Sequence, residues 1–366
     1  MQEYPYKTIS CNGRIVLIDD IVQAKVRGES NFENSLFTFM HQWINNKQQF
    51  ILSTSGSTGP PKSITVTREQ MLTSADLTAQ ALNLSNGQTA LICLNAEYIA
   101  GKMMIVRSLR SGLKIIAVDP SSNPLEHVHE QIDFTAMVPL QVHELIRTHH
   151  HTFHNIRTVI VGGGNMATED IAHISALPCR FYATYGMTET VSHVALRRLN
   201  GPDAPGYYTA LPGISFTSDG RGCLVINWPA FEKPVITNDL VELLDRQRFI
   251  WMGRWDNIIN SGGHKIIPER VENTIAELLE RRHLNMRFFI TSIPDPRLGN
   301  KVVLIMECER IDQINNDLII ALKSSLQAFE VPKAILSCAC FVETQTGKIN
   351  RNATLELAIS NNRSPE

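Results

Sequence analysis

The sequence predicts an α/β chain in which a doubly wound, mostly parallel sheet forms a large N-terminal domain, followed by a small antiparallel subdomain and a smaller α+β domain. Three observations carry this. Between Gln48 and Tyr185, short runs rich in β-branched and aromatic residues alternate with stretches of helical apolar spacing, the pattern of β-α-β units. Across 201–252, glycine and proline recur between short strand candidates, as antiparallel turns require. Beyond Gly253, helices and strands follow in the mixed order of an α+β domain. The expected division is 1–253, with the β subdomain at about 201–252, and 254–366.

A short lead offers one strand (GRIVLID) and one helix (FENSLFTFMHQWI). QFILS (48–52), TALICL (89–94), LKIIAV (113–118), FTAMV (134–138), TVIVG (158–162) and CRFYATY (179–185) are the strand candidates of the sheet. REQMLTSADLTAQALNL and GKMMIVRSLRSG have helical spacing. CLVIN and FIWMG are strands of the β subdomain. PERVENTIAELLERR, RFFITSI, KVVLIMEC, NDLIIALKSSL and a strand near AILSCACFV build the last domain, and SNNRSPE is expected to be a disordered tail.

At 366 residues the chain exceeds one ordinary core. Its 34 Lys and Arg balance 36 Asp and Glu, a net charge of -2, so no overall basic field exists to hold nucleic acid or an anionic membrane. Any anion must be bound by local groups. No apolar run reaches the length of a membrane helix, and the first residues lack the layout of a secretory signal, so a cytoplasmic location without membrane insertion is expected. The seven cysteines show no CxxC pairing and read as reduced core residues.

The strongest local signal follows the strand candidate QFILS: Ser53-Thr54-Ser55-Gly56-Ser57-Thr58-Gly59-Pro60-Pro61-Lys62. Its glycines let backbone N–H groups approach phosphate oxygens, its hydroxyls add donors, and Lys62 adds a positive charge, so a triphosphate is the indicated ligand. It is not a Walker A loop, because Pro61 stands where that motif has its second glycine. Tyr185-Gly186-Met187-Thr188-Glu189, Thr237-Asn238-Asp239, Gly253-Arg254-Trp255-Asp256-Asn257-Ile258-Ile259, Ser261-Gly262-Gly263-His264-Lys265 and Thr346-Gly347-Lys348-Ile349-Asn350-Arg351 follow in that order.

In this succession the chain resembles the adenylate-forming superfamily of acyl-CoA synthetases, peptide-synthetase adenylation domains and luciferases. The resemblance covers residues 48–355 and departs at Ser63 and Asn238, where the family has glycine. It implies ATP, Mg²⁺ and coenzyme A as ligands, with a carboxylic acid activated as acyl-AMP and passed to the thiol. It implies that Ser55, Gly56, Ser57, Thr58, Gly59 and Lys62 hold the phosphates. Tyr185 and Gly186 would lie on adenine with the turn Gly162-Gly163-Gly164, Thr188 would meet the α-phosphate, and Glu189 would hold Mg²⁺. Asp239 and Arg254 would bind the ribose. Lys348 would bridge carboxylate and α-phosphate, where a cation lowers the repulsion of two anions. Asp256 would be the hinge of a mobile C-terminal domain, and Gly263, His264 and Lys265 would line the CoA tunnel. Most of the family's first subdomain is missing or replaced by the short lead.

The wording YGMTETVSHVALRRLN is most similar to o-succinylbenzoate-CoA ligases of menaquinone biosynthesis. That implies a pocket for an aromatic keto-diacid, with Ser192, His193, Tyr98 and Lys102 as its candidate lining. Another aryl or acyl-CoA synthetase, an enzyme loading a carrier protein, and an AMP sensor without turnover stay open, as does a homodimer. Gly162-Gly163-Gly164-Asn165-Met166-Ala167 also fits a dinucleotide-binding turn, but no acidic residue ends the next strand. The run His149-His150-His151-Thr152-Phe153-His154 reads as a polar loop at a helix end.

Overall fold

The computed structural model describes residues 4–53, 63–202, 204–282, 284, 286–309, 316–343 and 349–361. They form two compact units: 1–216 with 226–235 and 244–249, and 217–225 with 236–243 and 250–366. Among the described residues no helix is long and apolar enough to cross a membrane.

Unit 1 opens with strands β1 (Thr8–Cys11) and β2 (Arg14–Leu17), a short helix α1 (Ile18–Val22) and helix α2 (Asn31–Ile44). The ribbon β3 (Gln49–Ser53) and β4 (Ser63–Thr67) leads to α3 (Arg68–Leu82). Then β5 (Thr89–Ile92), α4 (Ile99–Ser111), β6 (Lys114–Ala117), β7 (Phe134–Met137), α5 (Pro139–Thr148), β8 (Thr158–Val161), α6 (Thr168–Ile174) and β9 (Arg180–Gly186) alternate, and β10 (His193–Arg198) and β11 (Tyr208–Ala210) follow. The sheet order is β11-β10-β9-β8-β7-β5-β6-β1-β2. From β9 through β8, β7 and β5 to β6 and β1 the pairs are parallel, as expected for crossovers through helices.

β7 and β8 are buried at every residue, which explains their unbroken apolar runs. Leu91, Met137, Val142, Val159, Phe153 and Phe181 form the core beneath α5 and α6. Helix α3 starts on a capping box in which Thr67 accepts from the Gln70 amide at 3.2 Å and Gln70 accepts from the Thr67 amide at 2.9 Å.

QFILS does not enter this sheet. It pairs antiparallel with β4, from Gln49↔Thr67 to Ser53↔Ser63, as a separate ribbon. Phe50 and Leu52 face the core while Ile51 is 73% exposed, so the run has one buried face rather than two. The lead likewise contains a hairpin where one strand was expected, and β1 joins the sheet beside β6. A polar knot fastens it. Glu33, in the first turn of α2, is buried; it pairs with Arg14 and accepts from Asn12 Nδ2 at 2.7 Å and the Glu29 amide at 2.8 Å. The N-cap Ser30 donates to Asp119 at 2.8 Å, and Asn12 also donates to Asp119 at 3.0 Å.

Unit 2 contains residues of β12 (Ser215–Ser218), β13 (Cys223–Asn227), β14 (Val235–Leu243) and β15 (Arg248–Arg254), then a five-stranded sheet. Its elements are β16 (Ile259–Ser261), β17 (His264–Ile266), α7 (Pro268–Glu280), β18 (Phe288–Asp295), β19 (Gly299–Glu307), α8 (Asn316–Ser325), β20 (Ala334–Cys338) and α9 (Arg351–Asn361). Along β19, Val302, Leu304 and Met306 pack with α7 and α8, while Val303 and Ile305 pack with Ala358 of α9. Arg351 clamps the two layers with two bonds to Glu272, at 2.7 and 3.0 Å.

Glu33→Ala is expected to destabilise the protein by about 2 kcal/mol, because the buried carboxylate that joins Arg14, Asn12 and the Glu29 amide is removed, while Arg14 keeps Glu29 and Asn12 keeps Asp119. Urea denaturation checks this, and a change below roughly 0.5 kcal/mol would mean that the knot does not fasten the lead.

Candidate active site

The carboxyl ends of parallel strands are where an open α/β sheet collects ligands. Gly162-Gly163-Gly164 leaves the end of β8, and Tyr185 and Gly186 end β9. Gly186 sits where β10 doubles back in antiparallel pairing, His193 opposite Gly186. A Cβ there would lie 2.4 Å from Ser192 O and 2.5 Å from His193 Cα, so a side chain could not be accommodated. The Tyr185 ring packs edge-on to Phe249 at 5.0 Å and against Tyr208 at 5.8 Å.

Thr188 and Glu189 follow in a 3₁₀ turn, Thr188–Thr190, rather than at the start of an α-helix. The Glu189 carboxylate is exposed and makes no hydrogen bond or ion pair among the described residues. One free carboxylate beside a threonine hydroxyl fits Mg²⁺ held mainly by phosphate oxygens and water. No group of three or more His, Cys, Asp or Glu converges among the described residues to form a cation cage.

Ser192 and His193 come together with a residue that the motifs did not single out. Arg107, on α4, is 2% exposed. Its guanidinium donates to Ser192 Oγ at 2.5 Å, His193 Nδ1 at 3.3 Å and Thr78 Oγ1 at 3.2 Å, and it has no carboxylate partner among the described residues. Burial lowers Arg107 to about 9, which leaves it a cation at neutral pH. Burial and Arg107 push His193 well below 6.5, so its imidazole is neutral. Because Arg107 can only donate, Nδ1 accepts, and Nε2 donates to Thr78 Oγ1 at 3.2 Å. The available signal was the lone arginine in MMIVRSL, four residues after the buried Met103 and therefore on its face of the helix.

Lys102 and Tyr98 do not join this cluster. Lys102 Nζ donates to the carbonyls of Ala96 and Glu97 at 2.5 and 2.6 Å, beside Phe39, and burial lowers its pKa. Tyr98, the N-cap residue of α4, is 51% exposed.

In unit 2, Asp239 is buried and accepts from Trp251 Nε1 at 3.2 Å, with Arg254 at 4.0 Å. Arg254 donates to Asp256 at 2.8 Å. Asn238, the departure from glycine, accepts from Arg221 at 2.9 Å and donates to Asp256 at 3.3 Å. His264 stacks on Phe329 at 4.3 Å, and Lys265 Nζ lies 5.1 Å from the centre of the Trp255 ring. A Cβ on Gly263 would meet nothing within 4 Å, so the visible need for glycine is its φ of +84°. Ser55, Gly56, Ser57, Thr58, Gly59, Lys62 and Lys348 lie outside the described residues.

The lowered pKa of His193 sets a pH dependence. Below its ordinary value of 6.5 the unfolded chain binds a proton that the folded site refuses, so stability falls as pH falls. The expected contribution is a slope of up to about 1.4 kcal/mol per pH unit below that point. Urea denaturation at a series of pH values should show it in the wild type and not in His193→Gln; equal slopes would place a charged imidazole in the fold.

Residues 15–216 match the family model described as AMP-binding enzyme. The 2-succinylbenzoate--CoA ligase of Listeria monocytogenes is 22% identical, with 97% of this chain and 81% of that protein covered. The acyl-CoA synthetase (AMP-forming)/AMP-acid ligase II-like protein from Dyadobacter fermentans is 39% identical, with 92% of this chain and 97% of that one covered at a TM-score of 0.61. The o-succinylbenzoate coenzyme A synthetase (MenE) from Bacillus subtilis, in complex with ATP and magnesium ion, shares the fold at 18% identity and a TM-score of 0.71, with 83% of this chain and 69% of that one covered. The chain therefore belongs to the AMP-binding enzyme family and is an enzyme of its AMP-forming ligase class.

Proposed function

We propose that the enzyme activates a carboxylic acid bearing a second anionic group, 2-succinylbenzoate being the class favoured, and transfers it to coenzyme A. The observation that carries this is the buried Arg107 guanidinium, whose partners among the described residues are all neutral. Burying a cation without a counter-charge is costly, and a substrate carboxylate brought to Ser192 would supply the missing anion. The 2-succinylbenzoate--CoA ligase relatives support the same class.

In the first half-reaction a carboxylate oxygen attacks the α-phosphorus of ATP, forming acyl-AMP and releasing pyrophosphate. In the second the CoA thiol attacks the acyl carbon, its proton leaves, and AMP departs. Ser55–Gly59 and Lys62 would hold the phosphates, Thr188 the α-phosphate, and Asp239 and Arg254 the ribose. Tyr185, Gly186 and Gly162–Gly164 would flank adenine. Glu189 would hold Mg²⁺, which supplies charge neutralisation at the phosphates. Lys348 would bring the two anions together. Gly263, His264 and Lys265 would border the thiol's approach, and a change of torsions at Asp256 would separate the two half-reactions. Reliance on ATP and CoA fits a cytoplasmic enzyme.

Pyrophosphate exchange with 2-succinylbenzoate should exceed that with benzoate by about 10²-fold or more, as a site built around a charged group discriminates against an analogue lacking it. Equal exchange with benzoate would sink the diacid. Arg107→Met should raise the KM for the diacid about tenfold or more while leaving that for ATP near the wild-type value. Lys348→Ala should slow acyl-AMP formation by about 10²-fold. Thioester formation from preformed acyl-AMP should change much less, and equal losses in both steps would remove Lys348 from adenylation.

A further inference from the structure

Thr190 closes the turn that carries Thr188 and Glu189 and opens the one that carries Ser192 and His193. It is fully buried. The Met187 amide donates to its Oγ1 at 3.0 Å, and the hydroxyl lies 2.8 Å from Ser192 O and 3.0 Å from Met187 O. A hydroxyl has one proton, and the shorter contact is to Ser192 O.

Between Thr190 and Ser192 stands Val191, with φ +65° and ψ -49°. The Ser192 amide donates to Thr190 O at 2.7 Å, closing a γ-turn in its rare, strained form. Val191 is β-branched and 0% exposed, so neither glycine's freedom nor solvent eases the conformation. A strained turn persists only where its surroundings over-determine it. On one side the determinant is the close pass of Ser192 and His193 over Gly186. On the other it is the Thr190 hydroxyl. Immediately beyond the turn, Ser192 Oγ and His193 Nδ1 meet Arg107.

We propose that Thr190 is a positioning residue whose hydroxyl holds the Val191 turn and so sets Ser192 and His193 against Arg107. Without it the valine relaxes toward negative φ and Ser192 swings off the guanidinium. The effect falls on recognition of the acid, through Ser192 and His193, because the turn of Thr188 and Glu189 keeps backbone bonds of its own, Thr190 N to Met187 O at 3.1 Å and Val191 N to Thr188 O at 3.0 Å, when the hydroxyl is lost. This catalytic consequence rests on the acid-activating reading above; the hold on the turn does not.

Thr190→Val removes the hydroxyl at nearly constant shape, and Thr190→Ser keeps it. Amide hydrogen exchange without substrate should speed up about tenfold or more at Met187 and Ser192 in the valine variant and stay within about twofold of wild type in the serine variant. With the acid that best supports pyrophosphate exchange, Thr190→Val should raise the KM for the acid about tenfold, leave that for ATP within about twofold, and be rescued by serine. If the valine variant does not fold, Thr190→Cys, a weaker donor of similar size, should give intermediate exchange and an intermediate KM. Unchanged exchange, failure of serine to rescue, or equal rises in both KM values would each overturn the role. If no acid supports pyrophosphate exchange in the wild type, the ligase reading fails, while amide exchange still decides whether the hydroxyl holds the turn.

Discussion

A guanidinium buried with no carboxylate beside it among the described residues is the constraint around which the site in unit 1 is built. Among the described residues, desolvating Arg107 is offset by hydrogen bonds to neutral oxygen and nitrogen, so each partner must be placed closely. Those partners come from separate elements: Thr78 from α3, and Ser192 and His193 from the turn into β10. The packing of α3 against α4, the reversal over Gly186 and the bend at Val191 thus converge on one charged group.

Much of the fold was legible because parallel strands buried on both faces leave unbroken apolar runs, as β5, β7 and β8 do. QFILS misled for a related reason. An apolar run shows that a strand exists, but not whether its second face is covered, and Ile51 is open to solvent in a two-stranded ribbon. Ser192 and His193 are candidates from their place after the YGMTE element, and the fold brings both to Arg107. Arg107 was missed because it lies in a helix interior, outside every loop motif, where only its position on the apolar face marks it. The turn at Val191 leaves no trace in the sequence. A valine with positive φ runs against local preference, so the bend is imposed by tertiary packing.

The departure at Asn238 acquires a physical meaning from its contacts. A glycine there could make no side-chain bond, whereas the asparagine amide links Arg221 to Asp256, and Arg254 reaches the same carboxylate. The Trp255–Asn257 turn has few backbone bonds of its own; Ile258 N to Trp255 O at 3.2 Å closes it. Its geometry therefore depends on side chains, with Asn257 held by Glu269 and the Trp255 ring close to the cationic groups of Lys265, at 5.1 Å, and Arg221, at 5.8 Å.

The tautomer of His193 decides how the cluster answers an added proton. Arg107 only donates, the imidazole's lone pair is taken up by it, and its proton is spent on Thr78. Ser192 Oγ, which accepts from Arg107, also lies 3.5 Å from His193 Nδ1. The ring nitrogen that would take up a proton is therefore the one already committed to the guanidinium, so acidification would have to break the Arg107 contact before it could charge the imidazole.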